Sequence, residues 1–398
     1  MPALPFVTTM IQSPSLSVSC RPLSDHPDLA AQWQDLASRA EGSFFLTWPW
    51  IGTWLQHRPP GTDVRVLRAC AGDRLVGAAL VVKASRKVAG LPICEAWHLH
   101  ATGHAGYDGL GVTHNDFLVD RDHGDDVRAA MIEAWAATAG RAAELHLPGL
   151  SGEGFSASLA GSLQIERRTQ RTNGVALGPV RAAGLDVTDL LSSHARRFIR
   201  RSIEDYTALG PVALDEAATL PQALDFFGGL VGLHDAALAD RGLPSAFAAQ
   251  GVLPFHHHLI EHAWPNKAVQ LLRVRAGDAV IGYLYALVHR QRVTIHSAGF
   301  YHGLLDKPGR PGLVAHALAI RHSAEAGLDH YDLMANESPY GPTLSTESAP
   351  MTWAVWKKPA LRFAAERWGR HAMRQWRHWR DLLKRDQGRL VPASRVGP

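Results

Sequence analysis

The residues most able to do chemistry lie between Val269 and Gly341. Lys307-Pro308-Gly309-Arg310-Pro311-Gly312 stand directly before an apolar-periodic run, Leu313–Ala326, which reads as a helix ended by Gly327. Backbone N–H groups at such a start, from Gly309 to Leu313, have the positive end of the helix dipole behind them and Lys307 and Arg310 beside them, and together make an anion cradle. Four nearby side chains can move a proton. His296, with an ordinary pKa near neutrality, suits a general base toward an amine; the alternative is a core or edge histidine with a satisfied hydrogen bond. Asp332 is either a buried polar anchor or a partner for a substrate group. Tyr340 is an acid for a leaving group or an aromatic lid, and Glu337 a base acting through water or a solvated turn carboxylate. Neither a G-x-S-x-G elbow nor a P-loop is present. His256, His257 and His258 are consecutive and cannot converge on one metal, and no carboxylate pattern accompanies His258 and His262, so no metal is expected.

Strands and turns must hold these groups. Val269–Arg275 and Val280–His289 alternate around Ala276-Gly277-Asp278-Ala279, a hairpin with Gly277 and Asp278 at positive φ, and Arg292–Phe300 and Leu328–Met334 are further strands. Arg65–Ala71 and Leu75–Lys83 form a similar hairpin. RACAGDRLVGAALVV (68–82) and RVRAGDAVIGYLYALV (273–288) share a strand, a Gly-Asp turn and an apolar strand with an early glycine, Gly77 and Gly282; this repeat favours two copies of one α/β domain. Pro27–Ala40 has helical spacing. The helix of the first copy, Asp126–Gly140, is entered through Asp122, Asp125 and Asp126, which repel pyrophosphate, so that copy reads as the acceptor side or a structural half. Trp48, Tyr107 and Asp116 are its candidate acceptor contacts, joined by Tyr301 at the end of the later strand. Ser192 or Ser193 caps a helix whose Arg196, Arg197, Arg200 and Arg201 form either a solvated linker or an anion contact. The expected units are an arm (1–22), a first domain (23–185), a linking basic helix (186–215), a second domain (216–358) and a basic Trp-rich tail (359–398).

The order of elements from Val269 to Leu344 resembles the cofactor half of the GNAT N-acyltransferases. Their pyrophosphate loop is usually Gln/Arg-x-x-Gly-x-Gly/Ala, and Lys307, Arg310 and Gly312 stand at its three marked positions. Tyr331–Gly341 is similar to the strand-and-turn ending of the BioF-like and CelD-like GNAT domains, relatives of the FemAB group, with Asn336 where Gly is common and Gly341 where Lys is common. Leu233-His234-Asp235, Arg241–Phe247, Ala195–Arg201 and Phe44–Leu55 extend the resemblance over residues 40–358. It implies an α/β fold of tandem GNAT-like domains, mixed central sheets flanked by helices, and acetyl-CoA or another acyl-CoA as cosubstrate on the second copy. It also implies direct transfer to an amine of a small metabolite, sugar or cell-envelope precursor, with Tyr340 protonating the thiolate. A FemAB-like transfer from aminoacyl-tRNA and a non-catalytic binding protein of this fold are the alternatives.

Composition agrees with an ordinary two-domain globular chain: 398 residues, 46% hydrophobic and 20% charged. Cys20, Cys70 and Cys94 are unpaired in spacing, and the N-terminus carries neither a basic n-region nor a long apolar run, which points to the cytoplasm. The net charge of +4 is concentrated between Lys357 and Arg389, where Trp368, Trp376 and Trp379 interleave with Arg. That segment suits a helix packed on its own protein better than one docked on a membrane or RNA, and nothing suggests DNA binding.

Overall fold

The computed structural model describes residues 16–88, 90–104, 106–141, 143–152, 162–305, 309–335, 340–361 and 363. Lys307, Asn336, Glu337 and nearly all of the basic tail lie outside them. The chain runs through β1 (Leu16–Pro22), α1 (Leu29–Arg39), α2 (Trp48–His57), β2 (Asp63–Ala71), β3 (Arg74–Val88), β4 (Leu91–Leu99), the short β5 (Leu118–Val119), α3 (Gly124–Thr138), β6 (Ala143–Ser151) and β7 (Gln164–Ala176). A link holds α4 (Leu177–Ala182) and α5 (Ser193–Thr207). The order then repeats as β8 (Val212–Glu216), α6 (Leu220–Ala239), α7 (Val252–Ala263), β9 (Val269–Ala276), β10 (Ala279–His289), β11 (Arg292–Phe300), α8 (Pro311–Glu325), β12 (His330–Asp332), the single turn α9 (Gly341–Leu344) and β13 (Glu347–Lys357).

Local chemistry explains the boundaries. The Ser192 side chain accepts the Ala195 N–H to start α5, and Thr219 does the same for Gln222 at the start of α6. In α1, Leu29, Trp33 and Leu36 recur on one face and are buried. At the two hairpins only the glycines, Gly72 (φ 62°) and Gly277 (φ 56°), take the left-handed conformation. Asp278 does not, contrary to expectation, because the glycine alone absorbs the reversal.

The described strands form one sheet rather than two, in the order β1-β2-β3-β4-β6-β13-β7-β12-β11-β10-β9-β8, with β5 beside β3. Each half has one parallel pair, β4 with β6 and β11 with β12. The closing strands are exchanged: β13 pairs with β6, while β7 pairs with β12 and with β13 along its length. Strand alternation divides the core by face. On one side α1 and α2 of the first half meet α6 and α7 of the second in a shared cluster containing Trp33, Trp50, Phe226, Phe227 and Phe255. On the other, α3 packs on the first half and α8 on the second, in separate clusters.

Asp332 ties the exchanged strands together. Its carboxylate accepts hydrogen bonds from His114 Nε2 (2.6 Å), Thr172 Oγ1 (3.2 Å), the Met334 N–H (2.7 Å) and Arg292 Nη1 (3.3 Å), so residues from both halves converge on one buried group. Burial raises its pKa, but the His114 bond and the other donors outweigh that and hold the carboxyl below its ordinary range. Gly341, where related domains often carry Lys, has no room for a side chain: a Cβ would sit 2.8 Å from Asn173 Nδ2. Gly341→Lys is therefore expected to cost on the order of 1–3 kcal/mol through overpacking. Thermal unfolding measures this, and an unchanged melting temperature would show that Asn173 yields freely.

Candidate functional site

Two strand splays face each other at the centre of the sheet. The last registered pair of β4 and β6 is His98 with His146, and the last of β11 and β12 is Thr294 with Asp332. Beyond these pairs the strands part, and a cavity of about 750 Å³ opens between the halves. His98, His100, His146 and Pro148 wall it from the first splay, His296, Met334 and Ala335 from the second. Glu166, Arg167 and Arg168 of β7 and Trp353 and Val355 of β13 complete it, and the loop from Asp108 to Thr113 crosses it.

His100 and His296 occupy equivalent places, each two residues past the last pair. His100 Nδ1 lies 2.8 Å from Asn115 Oδ1, which also accepts the Asp116 N–H, so Nδ1 carries the proton. His296 Nε2 lies 2.9 Å from the Leu110 carbonyl, which can only accept, so here Nε2 carries it. Each ring is left with one bare nitrogen, His100 Nε2 and His296 Nδ1, shielded from solvent and without a hydrogen-bond partner. Burial lowers both pKa values to about 4, His100 against the bond to Asn115 and His296 against the bond to Leu110. Behind His296 stand His256, with ring centroids 4.7 Å apart, and Tyr285 at 5.5 Å, whose Nδ1 and hydroxyl are likewise unpartnered.

The start of α8 is built as a crowded turn. An added Cβ at Gly312 would meet the Tyr340 ring at 2.3 Å, and one at Gly309 would meet Tyr206 Oη at 2.6 Å. The Gly312 N–H donates to the Tyr340 hydroxyl, whose pKa burial raises. Tyr206 is buried and its hydroxyl has no partner among the described residues, and the Arg310 guanidinium lies 4.1 Å over the Phe198 ring. Leu313 donates its N–H to the Arg310 carbonyl.

The remaining sequence candidates stand apart from the central cavity. Trp48 packs over Gly52 and lines a separate cleft with Gln56 and His262. Tyr107 lies against Gly251 at the entry of α7. Asp116 accepts two bonds from Arg128 Nε, at 3.0 and 3.1 Å, and a third from Nη2. Tyr301 is exposed at the end of β11. Sequence reasoning did not single out His98 and His100; His100 lies past the end of β4 with φ 50°, so strand alternation gave no signal for the pair. His146 and Trp353 gave none either. Among the described residues no cluster of three or more His, Cys, Asp or Glu could hold a metal ion.

Burying neutral histidines has a cost that depends on pH. His98, His100, His296 and His316 all have pKa values lowered from 6.5 to about 4, with burial the largest cause in each. Between these values the unfolded chain binds protons that the folded one refuses. Stability is therefore expected to be full above pH 6.5 and to fall as the pH drops toward 4, by up to about 1.4 kcal/mol per pH unit for each histidine. Urea midpoints measured across pH 4–8 check this, and a flat profile would mean that the rings are hydrated.

Residues 193–340 match the family model described as an acetyltransferase (GNAT) domain. No curated protein matches the chain. Among solved structures, FemX shares 8% identity over 83% of this chain and 96% of its own, with a TM-score of 0.52. L-PGS from Bacillus licheniformis (9% identity, 83% and 92%, TM-score 0.48) and a tandem GNAT protein from the clavulanic acid biosynthesis pathway (13%, 86% and 99%, TM-score 0.40) are also similar. Residues 193–340 thus match a GNAT acetyltransferase domain, and the element order of that stretch recurs in the first half along the same sheet.

Proposed function

We propose that the protein is an acyl-CoA-dependent N-acyltransferase that holds its acceptor amine in the cavity between the halves. The observation that carries this reading is a single chamber walled by both strand splays, with the bare nitrogens of His100 and His296 at equivalent places. The entry of α8 fits the phosphates of the donor: Tyr206 offers a buried, unpartnered hydroxyl, Arg310 a cation, and the Gly312 N–H a donor now held by Tyr340. Acyl-CoA, when bound there, supplies a thioester carbonyl as electrophile.

The chain then has to orient the acceptor, take one proton and give one. His296 or His100 takes the proton of the attacking nitrogen as the N–C bond forms, its bare nitrogen being shielded until the acceptor is bound, and each ring is neutral at physiological pH. Tyr340, kept protonated by burial, stands at the entry of α8 beside the donor's phosphates, and the proton taken from the amine passes on to the leaving thiolate. Transfer is direct, since none of Cys20, Cys70 and Cys94 lines the chamber. Arg167 and Arg168 at the rim, the latter 5.3 Å over Trp353, favour a small acceptor that also carries negative charge.

One observation favours a second reading, transfer from an aminoacyl-tRNA. On α5, Arg196 and Arg200 are bound by the segment before the helix, but Arg197 and Arg201 face solvent with no partner among the described residues. Calorimetry with acetyl-CoA separates the two. Saturable binding supports the first reading, whereas no CoA binding together with salt-sensitive RNA binding supports the second.

Two substitutions test the site. Tyr206→Phe is expected to weaken acyl-CoA binding several-fold while leaving the melting temperature unchanged or slightly higher, because the removed hydroxyl has no partner to lose. Equal affinity in both proteins would remove Tyr206 from the donor site. His296→Ala and His100→Ala are each expected to lower kcat by about 10²-fold or less. The enzyme-borne acid limb of kcat should lie near pH 4, where the bare nitrogen gains a proton, rather than near 6.5. Full activity in both variants would rule out a histidine base.

A further inference from the structure

A second cavity, of about 570 Å³, is lined by His114, Ser151 and Arg292 among others. Ser151 and His114 stand on its wall, and the buried Asp332 lies behind His114. Ser151, at the exposed end of β6, has Oγ 3.1 Å from His114 Nδ1, and His114 Nε2 is 2.6 Å from Asp332 Oδ2. A carboxylate only accepts, so Nε2 carries the imidazole proton and Nδ1 presents its lone pair to the serine hydroxyl. The ring is fixed by its backbone as well: His114 has φ 50°, and its carbonyl accepts a 2.8 Å bond from Ser43 Oγ. Asp332 Oδ1 is held in turn by Thr172 and the Met334 N–H.

We propose that Ser151, His114 and Asp332 are a nucleophile, base and orienting carboxylate that hydrolyse small carboxylic esters, an activity separate from amine acylation. Such a triad is recognised by geometry and role rather than by sequence position; here Nδ1 faces the serine and Nε2 the carboxylate, the reverse of the usual use of the two ring nitrogens. The Ser151 Oγ–carbon bond forms while the hydroxyl proton passes to His114 Nδ1. The ester C–O bond then breaks, and the departing alkoxide takes that proton and leaves as the alcohol. Water attacks the acyl-serine, gives a proton to His114, and releases the carboxylic acid as Ser151 recovers its hydrogen. Arg292 lines the same cavity; its Nη1 contacts His330 and Asp332, and among the described residues Nε and Nη2 have no partner and can meet the developing oxyanion. The exposed position of Ser151 keeps the nucleophile accessible.

A fluorophosphonate probe followed by peptide mapping tests the assignment, with p-nitrophenyl acetate hydrolysis as the rate readout. The expected result is one adduct on Ser151 of the folded protein, at least tenfold slower labelling and hydrolysis in His114→Gln, and no adduct in Ser151→Ala, with Ser151→Ala melting near the parent temperature. Because Ser151 is exposed, Ser151→Ala keeps the test decisive even if His114→Gln is destabilised. An unlabelled Ser151 in the folded protein, or labelling that proceeds at the parent rate in His114→Gln, overturns the proposal.

Discussion

Everything at the centre of this molecule depends on the ladder between β7 and β13, which registers Glu347 against Gly174 at one end and Lys357 against Gln164 at the other. Each strand closes the half to which it does not belong in sequence, so the ladder is also the seam of the sheet. Its Lys357 end is fixed by charge. Lys357 Nζ lies 2.8 Å from Glu166 and 3.4 Å from the buried Glu144, which also takes Arg86 at 2.9 Å and His146 at 3.2 Å. Burial alone would raise the Glu144 pKa, but these partners hold it down to about 2. Removing both Arg86 and Lys357 would strand a buried carboxylate, a situation that typically costs about 3–5 kcal/mol.

The seam produces the chamber. Because β13 and β7 lie between β6 and β12, the two splays open into one space instead of two, and residues of both closing strands form its wall. His98, His100 and His296, which line it, are neutral because burial makes them so. A pKa of about 4 makes each a weak sink for protons but a dependable hydrogen-bond acceptor at neutral pH, which suits orienting an amine that arrives already deprotonated. Function and stability are opposed here: the same shielding that bares the lone pair exacts an acid penalty on the fold.

Much of the second half could be read directly from residue order. Alternation set β9, β10 and β11, and the glycine stop after Ala326 set the end of α8, because these features depend on local periodicity and turn chemistry. The repeat around Gly77 and Gly282 foretold the doubled element order, though not the exchange of last strands, since no local pattern encodes which distant edge a strand will choose. Asp332 was legible as an oddity on an apolar strand, but its partners His114, Thr172 and Arg292 are far from it in sequence. The absence of a serine elbow likewise gave no hint of Ser151, because three segments meet there only after folding.

The exchange also dictates when the molecule can become whole. As the chain leaves the ribosome, β1 to β7 emerge long before β13, so the open edge of β6 and both flanks of β7 wait unpaired while the rest of the polypeptide is made. Such edges are templates for wrong pairing, and this one is rich in apolar residues such as Leu145, Leu147 and Leu150. The first half thus matures last although it is synthesised first, and its quality in the cell rests on whatever shelters a growing sheet until its final strand arrives.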